Sequence, residues 1–405
     1  MNAFINAQLA IKKLRLGAKK CITLQVGTKH EEFKHVPLFV DGWSVKNVDS
    51  YDNEASQWED TYDKHMKEIS HLNSEKYLGQ ILSSDAKNTK NITKLRNKGI
   101  GIKNKIVQIL QNIPGGVYNF DIAMIFRSSY LLSSILSNSE VWYGVTKADI
   151  ELLEQVNIML LQKISEFSRS TPHDLYHLEF GVIPILYLVK IRRQMFLQHI
   201  LHQEEQSLLY RFFMAQLSNP TKGDWVTEAI EDIDYLDLKL DLEDIRSMSK
   251  SRFKKIVKCK TKQKALDYLL GKKESRNSDH SKGKQLIYND MKMAGYLSPS
   301  DIDISIDEKK WLLKCTLEDI DLSCNFRWKN KNIYCNYCFS TEMDQKHLLS
   351  CKYLLGKNEI VTYIPDYQDL FSEDIDAQVY TSRILKENYT RMKHLEDQVN
   401  RVDML

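Results

Sequence analysis

Three cysteines and one histidine near the carboxyl end have the spacing of a metal site. Cys335 and Cys338 are separated by two residues, and His347 and Cys351 follow them, four residues apart. A CxxC turn directs two sulfurs at one point, and positions i and i+4 share a helix face, so the four side chains can surround one ion. Thiolate and imidazole ligands are typical of Zn²⁺, and four protein ligands exclude water. We therefore predict a structural zinc site; chance clustering of reduced cysteines and a surface histidine is the alternative.

Aromatic and basic residues are concentrated around this cluster. Rings that stack on bases, beside cations that contact phosphates, are what single-stranded nucleic acid requires. Packing of the same rings in a core is the alternative. The residues are Phe326, Arg327, Trp328, Lys329, Lys331, Tyr334, Tyr337 and Phe339.

A second candidate site is a long amphipathic helix that follows a strand-like run, Tyr77 to Leu82. Its apolar positions recur every three or four residues, which predicts one buried stripe: Ile92, Leu95, Gly99, Ile102, Ile106, Ile109 and Ile113. Four lysines form one flank: Lys90, Lys94, Lys98 and Lys105. Between Ala86 and Lys105 there are seven basic residues and no acidic one. Such one-signed charge favours contact with a polyanion, and an ordinary solvated lysine face is the alternative.

Composition bounds the class of protein. The chain has 405 residues, of which 42% are hydrophobic and 27% charged, so it is long enough for two or three modest cores. Only 15 Gly and seven Pro favour helices over β-sandwiches. The fold class predicted is mainly α, with a small antiparallel β-region at the N-terminus. Leu38 to Val45 is predicted to form one hairpin of that region, with Asp41-Gly42 at its turn.

The cysteine count and hydropathy predict location. Seven Cys is an odd number, which argues against a secreted disulfide framework, and no signal peptide opens the chain. The longest apolar run, Val182 to Val189, is too short to span a bilayer. We therefore expect an intracellular protein, nuclear or cytoplasmic, with no membrane partner.

Charge is segregated although the formal net charge is only +3. Residues 228–244 carry eight acids and one Lys, and this block is predicted to be a linker. Residues 246–284 carry 14 Lys and Arg against three acids. This basic region spans a predicted helical segment (243–270) and the polar stretch that follows it. Residues 185–217 are predicted to be a helical pair, and 379–402 a packed terminal helix. This segregation indicates distinct binding surfaces.

No reaction can be assigned from motifs. The sequence contains no adjacent Asp pair, no GxxxxGK[ST], no GxSxG and no HExxH. Its carboxylates are plentiful, but none occupies a motif that singles it out as an acid, a base or a metal ligand.

The order of several short motifs resembles the carboxy-terminal half of a reverse transcriptase from a non-LTR (LINE-type) retrotransposon. The matching stretches cover most of residues 1–355, and the order and spacing carry the resemblance more than any one motif. They are Lys12 to Cys21 (KKLRLGAKKC), Glu75 to Gly79 (EKYLG), Lys98 to Gly101 (KGIG), Asn138 to Tyr143 (NSEVWY), Leu178 to Gly181 (LEFG), Arg192-Arg193, Gly223 to Trp225 (GDW) and the Cys335/Cys338/His347/Cys351 knuckle.

The resemblance implies five regions: a palm remnant (1–84), a helical thumb (85–170), a helical connection region (171–325) containing the basic segment 246–284, a zinc knuckle (326–360) and a C-terminal helix (361–405). It implies that Lys20 matches a palm lysine near the incoming nucleotide. Tyr77, Leu78 and Gly79 match the primer grip. The thumb lysines and Arg192 and Arg193 are then expected to hold RNA, an RNA–DNA hybrid or target DNA.

The chain departs from the family's pattern where catalysis occurs. The family's [YF]-A-D-D motif and its nucleotide-binding carboxylates are absent from these 405 residues. Phosphoryl transfer in the family uses two metal ions held by carboxylates, so Mg²⁺ is expected only in a complete enzyme. The resemblance thus implies a truncated fragment that binds nucleic acid and is inactive alone. Two alternatives stay open: polymerase activity in the presence of the missing fingers–palm half, and a helical scaffold that binds proteins.

Overall fold

The computed structural model describes residues 88–166, 171–275, 290–297, 304–317, 319–320, 322, 334–339, 342–354, 365–372 and 374–402, and six short strands between residues 22 and 83. The chain divides into two units, Met1–Lys94 and Leu95–Leu405. Within the described residues the fold is mainly helical, as the sequence predicts. None of the described helices combines the length and apolar character needed to cross a bilayer.

The strands of the first unit form three separate pairs. The strands are β1 (Ile22–Thr23), β2 (Phe39–Asp41), β3 (Met66–Glu68), β4 (Ser70–His71), β5 (Ser74–Tyr77) and β6 (Gln80–Ser83). β1 pairs with β4 in parallel, whereas β2 with β3 and β5 with β6 are antiparallel. The palm-like sheet as a whole stays a prediction, because no described strand joins one pair to another.

The strand predictions at 38–45 and 77–82 have different outcomes. Phe39 to Asp41 form the strand β2 and pair with β3, whereas residues 42–45 of the predicted hairpin lie outside the described residues. The prediction of one strand from Tyr77 to Leu82 is wrong, because Tyr77 pairs with Gln80 and the chain reverses between them. For β2 the alternating pattern identified extended residues but not their partner β3, which is distant in sequence.

Thirteen helices are described. They are α1 (Thr89–Gln111), α2 (Phe120–Phe126), α3 (Ser133–Ile135), α4 (Lys147–Ser165), α5 (His173–Glu179), α6 (Ile185–Leu201), α7 (Leu208–Ser218), α8 (Trp225–Tyr235), α9 (Leu242–Ser247), α10 (Lys250–Glu274), α11 (Ile306–Thr316), α12 (Gln345–Ser350) and α13 (Ile375–Val402). A π-helical turn, Arg127–Leu132, connects α2 to α3.

Polar side chains fix where many of these helices begin. Thr146 and Asp149 form a reciprocal capping box at the start of α4, and Ser305 and Glu308 form another at α11. Ser249 caps α10 by accepting from the amide of Arg252. These caps satisfy amides that have no partner inside the helix.

The helical core of the second unit is built around α6. This helix packs against α8, α9 and α10, and the residues buried between them include Leu197, Val226, Ile245 and Phe253. The predicted helical pair at 185–217 is therefore confirmed as α6 and α7. The acidic block 228–244 is not a linker, because Val226, Ala229 and Ile233 give α8 an apolar face that the core buries.

Two glycines permit close packing. A Cβ at Gly99 of α1 would lie 2.6 Å from Ile135 Cγ2 and 3.1 Å from Val156 Cγ1, so neighbouring side chains occupy that space. Gly181 follows α5 with φ +59°, and a Cβ there would lie 2.3 Å from the backbone nitrogen of Met293. Phe180 forms an isolated antiparallel bridge with Met293, which brings the two backbones together at this point.

Candidate metal centre and basic surfaces

The two cysteines of the CxxC turn are held by backbone hydrogen bonds. Tyr334 and Glu342 form an antiparallel bridge that closes the loop containing the turn. The amide of Tyr337 donates to Cys335 Sγ at 3.4 Å, and the amide of Phe339 donates to the carbonyl of Cys335 at 3.0 Å. Amides directed at a ligating sulfur are a typical outer-shell feature of metal sites, since they stabilise the thiolate.

His347 and Cys351 come from a short helix that a carboxylate caps. Asp344 accepts from the amide of His347 at 2.6 Å and so fixes the first turn of α12. Cys351 follows directly after the last residue of α12, four positions beyond His347. The helix therefore directs both side chains to the CxxC turn, as the i, i+4 spacing predicts.

The four ligand atoms converge on one point. All of them lie within 4.8 Å of one another. Cys335 Sγ is 3.8 Å from Cys351 Sγ, and Cys338 Sγ is 3.3 Å from His347 Nε2. A tetrahedral site with zinc–sulfur bonds of about 2.3 Å has sulfur–sulfur edges of about 3.8 Å. The cluster can hold a metal ion, and its donor set is compatible with Zn²⁺.

The interior position of the sulfurs disfavours their charged form unless a cation is bound. Cys335 and Cys351 are buried. Burial raises the pKa of the Cys335 thiol to about 11, and the amides of Cys338 and Tyr337 oppose this only in part. A bound divalent cation favours the thiolate over the neutral thiol, because coordination deprotonates the thiol.

The C-terminal helix α13 forms hydrogen bonds with the CxxC turn and with α12. The Tyr337 hydroxyl donates to the carbonyl of Met392 at 2.8 Å, and Asn388 Nδ2 donates to the carbonyl of Leu348 at 3.0 Å. Val379, Leu385 and Met392 of α13 are buried. The prediction of a packed terminal helix is therefore confirmed.

Among the aromatic residues predicted to surround the cluster, one is part of the packing and two are exposed. Tyr337 is structural through its bond to α13, whereas Tyr334 and Phe339 are 50% and 73% exposed. Leu348 and Leu349, which follow His347 directly, are buried, whereas Tyr353 is 70% exposed. Phe326, Arg327, Trp328, Lys329 and Lys331 lie outside the described residues.

The lysines predicted on α1 lie on one flank of the helix. Lys90, Lys98 and Lys105 are exposed, and Lys94 is half-buried. The buried stripe is confirmed at Ile92, Leu95, Gly99 and Ile106. In the last turns of α1 the buried positions differ from those predicted: Val107 and Leu110 are buried, whereas Ile109 is 47% exposed. The neighbouring helices, and not the periodicity alone, decide which side is covered at the end of α1.

A larger one-signed surface lies on α10, which the sequence analysis noted as basic but did not count among the site residues. This helix carries ten Lys and Arg and two acids. Lys254, Lys258 and Lys262 are exposed at four-residue intervals, with Lys255 beside them. We call these four residues the α10 lysine face. In the described part of the chain none of the four pairs with a carboxylate, whereas Lys260, on another side of the helix, contacts Asp237 at 3.1 Å.

Arg193 is used inside the fold, and the neighbouring Arg192 is half-buried. Arg192 donates to the carbonyl of Leu136 at 2.5 Å. Arg193 is 6% exposed and contacts Asp232 at 2.9 Å and Glu228 at 2.6 Å. The expected contact of Arg193 with nucleic acid conflicts with this burial, because its donors already face two carboxylates.

The remaining predicted site residues belong to the first unit. Lys20, Leu78 and Gly79 lie outside the described residues. Tyr77 is the last residue of β5, next to the reversal that leads to β6.

One buried polar network was missed by the sequence analysis. Glu154 of α4 accepts from Ile185 N and from Asn157 Nδ2, both at 2.6 Å, and lies 3.3 Å from His177 Nε2. Burial by itself would raise the pKa of Glu154, but the imidazole and the two donors together lower it to about 2. The available signal was a Glu within the apolar pattern of α4, but its partners come from α5 and α6 and no local spacing shows them.

Comparison with known proteins assigns no family to the chain: a scan against protein-family models matched none, and searches of curated proteins and of solved structures gave no match.

Proposed function

We propose that the protein binds nucleic acid through lysine-rich helical surfaces and that a Cys3His zinc site stabilises its C-terminal part. The observation that supports this best is the α10 lysine face, which concentrates positive charge along one side of a helix. Binding there neutralises phosphates and releases counterions, so affinity falls steeply with salt. The lysine flank of α1 is a second surface of the same kind.

The motif resemblance refines this proposal. By analogy with non-LTR reverse transcriptases, the ligand is RNA, an RNA–DNA hybrid or target DNA, and residues 1–84 correspond to the end of a palm. The chain has no [YF]-A-D-D motif, so by itself it holds a template–primer and does not extend it. Mg²⁺-dependent polymerisation then requires a fingers–palm half that supplies the metal-binding carboxylates.

Zinc has a structural role in this proposal. The four ligands Cys335, Cys338, His347 and Cys351 complete a tetrahedron and leave no position for a substrate or a water nucleophile. The ion joins the CxxC turn to α12, and α13 packs over both. Loss of the metal is therefore expected to unfold this region and to act on nucleic-acid binding only through that unfolding.

The test is a salt titration of binding to RNA duplex, RNA–DNA hybrid and single-stranded RNA. Replacing the α10 lysine face (Lys254, Lys255, Lys258 and Lys262) with Glu removes up to four phosphate contacts. The slope of log K against log salt is then expected to become less steep by about 3 to 4. The α1 variant (Lys90, Lys94, Lys98 and Lys105 to Glu) is measured in the same way.

A control variant distinguishes the effect of losing a local lysine surface from the effect of changing the net charge. Replacing four exposed lysines on separate elements (Lys163, Lys222, Lys346 and Lys386) with Glu changes the net charge equally, and the slope is expected to stay close to that of the wild type. Binding that is absent, or independent of salt, would contradict the proposal. An equal loss in all three variants would show that only overall charge matters.

A further inference from the structure

A cavity of about 560 Å³ opens between α4, α5, α6 and α10, and neither the metal centre nor the lysine surfaces use it. Its volume lies in the range of small-molecule sites, about 300–1,000 Å³. Four different helices supply its walls, so its shape depends on the fold of the second unit as a whole.

The wall of the cavity combines buried side chains with a polar pair held by hydrogen bonds. Tyr187 and Leu269 line it and are only 1% and 2% exposed. The Glu154–His177 pair also lies in the wall, held by the amide of Ile185 and by the carbonyl of Val182, which is 2.9 Å from His177 Nδ1. These contacts hold the carboxylate and the imidazole in place before any ligand enters.

The mouth of the cavity combines a ring with charges of both signs. Tyr268 is 40% exposed there, and Lys272 Nζ lies 4.6 Å from the centre of its ring. Lys147 and Glu151 of α4 are exposed at the opposite wall. A site for several phosphates would carry one sign of charge. Mixed donors and acceptors above apolar walls suit a flat, neutral molecule with both amino and carbonyl groups.

We infer that this cavity is a nucleobase site, which takes one unpaired base between Tyr268 and the apolar walls. Three features of the lining indicate the chemical class. Tyr268 offers a half-exposed ring for stacking, and the Glu151 carboxylate offers an acceptor for exocyclic amines. Lys147 and Lys272 offer ammonium donors to carbonyl oxygens. That the base belongs to a bound strand rests on the proposed function.

Titration of the full chain with adenosine, guanosine, cytidine and uridine tests the inference, because nucleosides carry no phosphate. We expect saturable, one-site binding of at least one nucleoside, nearly independent of salt. Gln155→Trp places a large ring at the cavity wall and is expected to weaken that binding by about tenfold or more; Tyr268→Ala removes the stacking face and is expected to act similarly. Met159→Trp, four residues further along α4 and outside the cavity, is the matched control and is expected to bind as the wild type does.

The outcomes separate this inference from the proposed function. If no nucleoside saturates the wild type, or if Gln155→Trp and Tyr268→Ala both bind normally while retaining the wild-type circular dichroism and Tm, the nucleobase site is wrong. Salt-dependent binding of RNA would then still stand on the lysine surfaces. Nucleoside binding that Gln155→Trp abolishes supports the site even if long RNA does not bind, and in that case the proposed function fails alone.

Discussion

Removing the charge of Glu154 should destabilise the protein in a way that depends on pH. In Glu154→Gln the amide oxygen can still accept one hydrogen bond, but the negative charge that lies 3.3 Å from His177 Nε2 is lost. The donors on Asn157 and Ile185 can no longer both face a carboxylate oxygen. A charged partner removed from a buried network leaves the other polar groups without compensation.

The magnitude follows from the pKa of the carboxyl. Its ordinary value of 4.5 falls to about 2 in the folded chain. A difference of that size corresponds to about 3 kcal/mol of the free energy of unfolding. Because the folded pKa is the lower one, this contribution is complete above about pH 4.5 and is lost as the pH falls from there to about 2.

Urea unfolding of the wild type and of Glu154→Gln, followed by circular dichroism at several pH values, measures this contribution. At pH 7 the variant is expected to be less stable by about 3 kcal/mol, and the difference is expected to shrink below about pH 4.5. Both proteins are compared in the same buffer, so that any acid effect on the metal cluster cancels. Glu151→Gln, one turn earlier on α4 and exposed, is the matched control and should change stability by less than about 0.5 kcal/mol.

Two results would refute this reasoning about Glu154. One is a Glu154→Gln protein as stable at pH 7 as the Glu151→Gln control. The other is a large loss of stability that stays constant down to pH 3, which would indicate that side-chain packing and not the ionised carboxylate is responsible.

Three further predictions follow from single positions. Gly99→Ala should lower Tm, because its Cβ meets Ile135 at 2.6 Å, whereas Gly101→Ala on the same helix meets nothing within 4 Å and should be neutral or slightly stabilising; equal Tm values in the two variants would contradict the packing. Gly181→Ala should cost several kcal/mol, since it combines positive φ with a backbone clash, and thermal unfolding of the variant measures the cost. Cys351→Ser should lose the one equivalent of zinc that atomic emission is expected to find in the wild type, and protease digestion should then cut near α12 first; full zinc content in the variant would exclude this ligand set.

Those parts of the structure that depend on short-range order were predictable from the sequence. The capping box of Thr146 and Asp149 and the spacing of Cys335, Cys338, His347 and Cys351 each involve residues within 16 positions of one another, so local geometry largely determines them. The periodicity of α1 likewise predicted its first buried turns.

The features that the sequence did not predict depend on contacts between residues that are distant in sequence. Arg193 is buried because Glu228 and Asp232, more than 30 residues away, accept its donors. The strand β2 pairs with β3 across more than 20 intervening residues, a partner that no local signal in the sequence indicates. The Glu154 network combines α4, α5 and the first residue of α6. Each of these depends on which elements meet in space, and charge or turn propensity alone does not contain that information.

The charge segregation in the sequence has a specific structural meaning that its linear pattern did not show. Three acids of the block 228–244 pair with basic groups: Glu228 and Asp232 contact the buried Arg193, and Asp237 contacts Lys260 of α10 at a partly exposed position. Other acids of the block, such as Glu231 and Asp241, are exposed and form none of these pairs. Within the described residues no ion pair joins the α10 lysine face to a carboxylate, so its charge is not neutralised as that of Arg193 and Lys260 is. A net charge of +3 therefore understates the local field, and this uneven neutralisation is the physical reason to expect a polyanion at that surface and not simply a soluble helix.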